Sequence, residues 1–303
     1  MTDIIGKKYY FLGVSGAVLL LSIVALLLFG LNPSIDFTGG SILEVEFPKD
    51  IPSVERVKTV VQSFNVGSVL VQPTGERGMF IRFGVVDEDT HQDILFELRR
   101  DGGGEIIEER FDSIGPTIGA ELKKNGIVAL SIAVVGIVLY IAWAFRKVSE
   151  PVTSWKYGVV AIIALIHDVL LPAGVFAILG KFYGVTVDAL FLTALLTIMG
   201  FSVHDTIVVF DRTRENLHKL KGREPFGDTV NRSIRQTFTR SVNTSVTTLL
   251  SLVAIAVFGG ESVRLFSITL IIGITFGTYS SIFVASPLLV VWNDFAQRRK
   301  GSV

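Results

Sequence analysis

Residues 10–29 read YFLGVSGAVLLLSIVALLLF, twenty positions without one Asp, Glu, Lys or Arg. A helix of about 20 residues, rising 1.5 Å per residue, covers the roughly 30 Å hydrocarbon core of a bilayer. Lys7 and Lys8 precede the run, as they would in a signal peptide. Its length exceeds the apolar core of about 7–15 residues found in such peptides, and no small-residue cleavage site follows, so we read a retained transmembrane anchor. Working outward, five more runs of this kind lie near 126–145, 158–179, 189–210, 238–258 and 265–291. Six spans predict a polytopic α-helical membrane protein with both termini on one side.

The composition agrees. Of 303 residues, 50% are hydrophobic and 18% charged, with a mean hydropathy of +0.56, against roughly 25% charged in soluble domains. An ordinary soluble enzyme is a poor fit. The 28 basic and 28 acidic residues cancel, so no global field favours nucleic acid, and no nucleic-acid partner is expected. Without cysteine, disulfides, Cys-ligated zinc and thiol chemistry are excluded, and four His leave little for a metal site. No phosphate-cradling loop, nucleophile elbow or zincin helix is present, and Gly102-Gly103-Gly104 reads as a turn after a helix. We therefore expect no enzymatic activity, no metal and no cofactor, and any work must be driven by an ion gradient or a partner.

Lysine and arginine set the orientation. They crowd the N-terminal tail (Lys7, Lys8), the second-to-third loop (Arg146, Lys147, Lys156), the fourth-to-fifth loop (Arg212, Arg214, Lys219, Lys221, Arg223, Arg232, Arg235) and the C-terminal tail (Arg298, Arg299, Lys300). The opposite short loops hold only Lys181 and Arg264. Both termini are thus expected in the cytoplasm, and three regions follow: 1–30, tail and first span; 31–125, an extracytoplasmic domain; 126–303, the remaining spans with their cytoplasmic loops.

The outer segment carries more Asp and Glu than Lys and Arg. A strand is predicted at 41–47, where Leu43, Val45 and Phe47 alternate with Glu44 and Glu46. Ser53 is placed as the N-cap of a helix with Val54, Val57 and Val61 on one face. A strand at 66–72, a turn at Pro73-Thr74-Gly75, a strand at 78–84, a helix near 88–100 and a strand near 105–112 complete a β-α-β-β-α-β order. This is the ferredoxin-like α+β plan.

Ionisable groups inside spans are costly and mark candidate sites. Asp205 lies about five residues inside the cytoplasmic end of the fourth span, roughly 8 Å deep; its bland reading is a carboxylate that only caps or holds a neighbouring helix. Arg240 opens the fifth span at similar depth and could pair with Asp205, or else snorkel to lipid phosphate. His167-Asp168 in the third span and His204-Asp205 in the fourth repeat one dipeptide, which fits a proton or hydration relay better than a metal site. Asp211, beside Arg212, Arg214 and Glu215, reads as a solvated helix-end ion pair. Residues 228–239, with Asp228 as N-cap and Val230, Ile234 and Phe238 at fourfold spacing, read as an interfacial amphipathic helix or an ordinary connecting one.

Several motifs now stand in fixed topological places. They are Asp36-Phe37-Thr38-Gly39-Gly40 outside the first span, Gly115-Pro116 with Gly119 before the second, His167-Asp168 in the third, and the run from Asp205 to Asn216 with Arg240 beyond it. Together they resemble the SecD/SecF family of the Sec protein-export machinery, within the resistance-nodulation-division superfamily, over nearly the whole chain. The resemblance implies a SecF-like subunit that pairs with SecD into twelve spans, each chain an RND-like half. It implies association with the SecYEG channel, SecA, YajC and YidC in the cytoplasmic (inner) membrane, and use of the proton motive force to move preproteins. It further implies a proton pathway through Asp205 and Arg240, with His204, His167 and Asp168 beside them, and domain linkers at Asp36, Gly39, Gly40, Gly115 and Pro116. Where many members carry Tyr and Asn, this chain has Phe201 and His204. Two other classes remain: a proton-coupled small-molecule exporter subunit of the same superfamily, and a non-transporting stabiliser of a membrane complex.

Overall fold

The computed structural model describes residues 3–49, 51–101, 105–145, 153–220 and 223–300. The predicted turn at 102–104, the loop cations Arg146, Lys147 and Lys221, and the side chains of Arg299 and Lys300 lie outside the described residues. The chain divides into two compact units, Pro33–Val128 and a second made of Met1–Asn32 with Ala129–Val303.

The smaller unit contains α2 (Ile35–Thr38), β1 (Gly40–Glu46), α3 (Val54–Gln62), β2 (Leu70–Thr74), β3 (Gly78–Phe83), α4 (Glu88–Asp101) and β4 (Ile107–Ile114). Its four strands form an antiparallel sheet in the order β2-β3-β1-β4. Alternation in β1 and β3 buries Leu43, Val45, Met79 and Ile81 against Val57 and Val61 of α3 and Ile94, Leu95 and Leu98 of α4. The α3 cap is as predicted, with Ser53 Oγ accepting from Arg56 N at 3.3 Å.

The second strand departs from its prediction. Pro73 and Thr74 belong to β2, and the turn follows at 75–77, with Gly75 at φ +57°. Proline is tolerated there because β2 is an edge strand that need not donate outward.

Gly39 sits at φ +73°, a region hostile to side chains. A Cβ on Gly39 would stand 2.9 Å from Pro116 Cα, and one on Gly119 2.8 Å from Gly39 N. Within this unit, residues 36–40 and 115–119 therefore pack backbone to backbone.

The larger unit holds α1 (Lys8–Phe29), α6 (Ser154–Tyr183), α7 (Ala189–Leu220), α8 (Phe226–Phe258), α9 (Glu261–Ser280), a π-helical segment (Ser281–Ala285) and α10 (Ser286–Lys300); α5 (Pro116–Ala144) enters it from residue 129. Six of the described helices are long and apolar enough to cross a membrane: Lys8–Phe29, Pro116–Ala144, Trp155–Tyr183, Ala189–Leu220, Phe226–Phe258 and Val263–Arg298. The protein is thus a polytopic helical membrane protein. Glycine allows close approach of α6 to α1, since a Cβ on Gly174 would lie 2.6 Å from Ser22 Cα. At one end of this unit Lys8 Nζ pairs with Asp294 Oδ2 at 2.5 Å, tying the start of α1 to α10.

The helix predicted at 228–239, interfacial or connecting, is not a separate element. It is the first part of α8, which runs unbroken into the fifth span from Phe226, with Pro225 rather than Asp228 at the cap. Phe226, Val230 and Ile234 are buried in a cluster with Val209, Phe210, Leu289 and Val290, so the apolar stripe faces protein. Helix α7 likewise continues to Leu220, where Asn216 Nδ2 bonds Ser233 Oγ at 2.9 Å across the α7–α8 pair. The predicted helix-end pair is present as Arg214 to Asp211 at 3.8 Å.

Candidate functional site

Two apolar clusters occupy the larger unit. One gathers Leu165, Val209, Ile234 and Ile282; the other gathers Phe176, Ile198, Leu252 and Ile274. On α6, α7, α8 and α9 the positions between these clusters are polar: His167 and Asp168, Ser202 and Asp205, Ser241 and Ser245, Thr278 and Ser280. Among them His167, Asp168, Ser202, Asp205, Ser241, Ser245 and Ser280 are buried. These buried polar side chains thus lie between two apolar clusters, where each hydrogen bond counts for more.

Asp168 is the most fully engaged group. Its Oδ1 hydrogen-bonds His167 Nδ1 at 2.8 Å, and its Oδ2 accepts from Ser280 Oγ at 2.5 Å and from Ser202 Oγ. Pro172 has no N–H to offer the Asp168 carbonyl four residues earlier, so the helix ladder is interrupted at this same level.

Asp205 is held differently. Its Oδ1 accepts from Ser241 Oγ at 3.0 Å, while Oδ2 is buried and without a hydrogen-bond partner among the described residues. The Thr278 hydroxyl is near enough to hydrogen-bond the carboxyl group, and His204 and Arg240 are near enough to act on it electrostatically. Arg240 makes no ion pair with it: successive positions on a helix diverge by about 100°, so Ser241 faces Asp205 and the Arg240 side chain is exposed. His204 is exposed as well, and His167 is buried with Nε2 unpartnered among the described residues.

Of the sequence-derived residues, the layer unites His167, Asp168 and Asp205, flanks them with His204 and Arg240, and excludes the linker residues Asp36, Gly39, Gly40, Gly115 and Pro116, which belong to the smaller unit. A search for charges in spans passes over Ser202, Ser280 and Thr278. Their signal is subtler: small hydroxyls one helical turn from Asp205, or just after Gly277, in otherwise apolar runs. It also passes over the π segment at Ser281–Ala285, a rare form that is frequent at functional positions.

Residues 97–294 match the family described as protein export membrane protein SecD/SecF, C-terminal, and residues 24–49 match the SecD/SecF GG motif. The protein translocase subunit SecF of Thermobaculum terrenum is 46% identical, over 97% of this chain and 95% of that one. Its counterpart in Anaerolinea thermophila is 43% identical, again over 97% and 95%. The crystal structure of SecDF, a translocon-associated membrane protein from Thermus thermophilus, superposes with a TM-score of 0.83 at 30% identity; the match covers 97% of this chain and 39% of that one.

Proposed function

The chain belongs to the SecD/SecF family of protein-export membrane proteins, and on that premise we propose that it converts protonation of Asp205 into movement of its spans as the SecF subunit of a Sec translocase. SecD is its partner, and the proton motive force its energy source. The observation that carries the reading is the unequal treatment of Asp205: one oxygen held by Ser241, the other buried and free to take a proton.

Charged, Asp205 is attracted by Arg240 across the α7–α8 boundary; neutral, it is not. A change of charge here biases how α7 and α8 pack. Moving one charge through 100 mV supplies about 2.3 kcal/mol, enough to shift a two-state element substantially. In this reading His204 and the His167–Asp168 pair belong to the same pathway, as groups that orient and hydrate it.

The cation-rich loops support placing both termini and the α7–α8 connection in the cytoplasm, in the inner membrane, with 31–125 outside. The β-α-β-β-α-β order and the β2-β3-β1-β4 sheet support a ferredoxin-like plan for that outer unit. Its two chain connections, Asp36 to Gly40 and Gly115-Pro116, are packed against each other and act as one joint, so motion arriving at either is felt by both. Cycling of the outer unit would hold an emerging preprotein delivered by SecA through SecYEG, with YajC and YidC as further neighbours.

The test is gradient-stimulated translocation of a preprotein into inverted vesicles containing this chain with SecD, comparing wild type with Asp205→Asn and Arg240→Met at matched expression. Selective loss of the stimulated part in both variants is expected. Unchanged stimulation would return the protein to the role of a stabiliser.

A further inference from the structure

The hydrogen bonds of the polar layer form a circuit. Ser202 and Ser280 both donate to Asp168 Oδ2, joining α6 to α7 and α9. Ser202 lies one turn before Asp205 on α7. Asp205 accepts from Ser241 of α8. One turn along, Ser245 Oγ donates to the Ser241 carbonyl at 2.9 Å and meets Thr278 Oγ1 of α9 at 2.5 Å. Thr278 precedes Ser280 by two residues, which returns the path to Asp168. Beyond Ser280 the helix changes to the π segment, where Ser281 Oγ bonds the Thr278 carbonyl at 2.9 Å and Ser286 Oγ bonds the Ser281 carbonyl at 2.9 Å.

We propose that Asp168 is a positioning residue: it closes this ring through four helices, and the closure carries a change at Asp205 into the π segment and the last part of the sixth span. The proposal rests on Asp205 being the group that changes charge. The chemistry of the two carboxylates divides the labour. Asp168 has both oxygens engaged by three side chains from three helices, so it is a fixed point. Asp205 accepts from Ser241 at Oδ1, has the Thr278 hydroxyl nearby and keeps Oδ2 unpartnered among the described residues, so it is the point that can change. The charged and titratable groups acting on Asp205 are His204 on its own helix and Arg240 on α8, and α9 contributes the Thr278 hydroxyl; on α6 the ionisable groups of the ring are Asp168 and His167, reached through Ser202.

A ring of this kind makes α9 follow α7 only while both of its routes are closed, one through α8 and one through Asp168. If the second route is cut, α7 and α8 still answer protonation while the sixth span does not. A residue that merely stabilised the fold would not separate the two answers.

The chain has no native cysteine, so spin labels can be placed at will. Distances would be measured by pulsed electron paramagnetic resonance on the chain reconstituted with SecD. One pair, His218→Cys with Thr239→Cys, spans α7 and α8; the other, His218→Cys with Gln297→Cys, spans α7 and α10. Between alkaline and acidic buffer both distances are expected to change in the otherwise wild-type chain. In Ser280→Ala, which leaves Asp168 in place, the α7–α8 change should persist and the α7–α10 change should be lost; in Asp168→Asn the α7–α10 change should be lost as well. Persistence of the α7–α10 change in both variants overturns the ring alone. Persistence of both changes in Asp205→Asn overturns Asp205 as the titrating group, and the ring with it.

Discussion

Asp205 and Asp168 share a residue type, a layer and a burial class, yet their surroundings give them opposite capacities. A carboxylate with three donors resists change, because losing any one leaves a buried polar atom unmatched at a cost of about 1–3 kcal/mol. A carboxylate with one free oxygen has a second state within reach. The smaller unit offers a third case in the open. Arg56 grips Asp101 with two hydrogen bonds, Nε to Oδ2 at 2.6 Å and Nη2 to Oδ1 at 2.9 Å, and so holds that carboxyl below the ordinary aspartate range. A depressed folded value means that the contribution is present above the unfolded value and is lost as pH falls through the folded one. Arg56→Ala should therefore speed hydrogen exchange in α3 and α4 at neutral pH, and the difference from wild type should vanish in acid. A difference that survived acidification would show that Arg56 acts by packing.

Between helices, glycine sets what approach is possible. The backbone of α1 comes so close to α6 at Ser22 that even a methyl at Gly174 must displace it. Overpacking of this kind costs about 1–3 kcal/mol. Gly174→Ala is expected to lower the midpoint of thermal unfolding in detergent, whereas Gly136→Ala, whose Cβ meets nothing within 4 Å, should leave it in place. Equal midpoints would mean that the two helices separate at little cost. The same logic separates α8 from its predicted form. Its periodicity at Val230, Ile234 and Phe238 is legible, but periodicity identifies an apolar stripe without saying what covers it. The cover turned out to be Phe210 and Leu289.

The whole molecule adds the membrane, and with it a direction. Single cysteines at Glu76, in the exposed turn of the smaller unit, and at His218, near the end of α7, place that direction under test. In intact cells a membrane-impermeant maleimide should label Glu76→Cys, and should label His218→Cys only after permeabilisation. The reverse pattern would invert the orientation and leave Asp205 near the wrong face. Six apolar runs and the loop cations carry the architecture in the sequence, because a span needs only length and composition to be recognised. The motifs from Asp36 to Gly40 and from Asp205 to Asn216 carry the family.

By itself, then, the sequence determined that the chain crosses a membrane, how many runs can do so, which family it resembles and which carboxylates lie within it. Each of these depends on local composition, on spacing, or on the steep cost of a charge in hydrocarbon. Only the tertiary structure decided that Ser241, and not Arg240, touches Asp205, that Asp168 binds two serines from different helices, and that Pro73 continues a strand. Helix rotation, partner choice and edge position are set by contacts between segments far apart in the chain. A hydroxyl in an apolar run becomes part of a site only when another helix brings it a carboxylate.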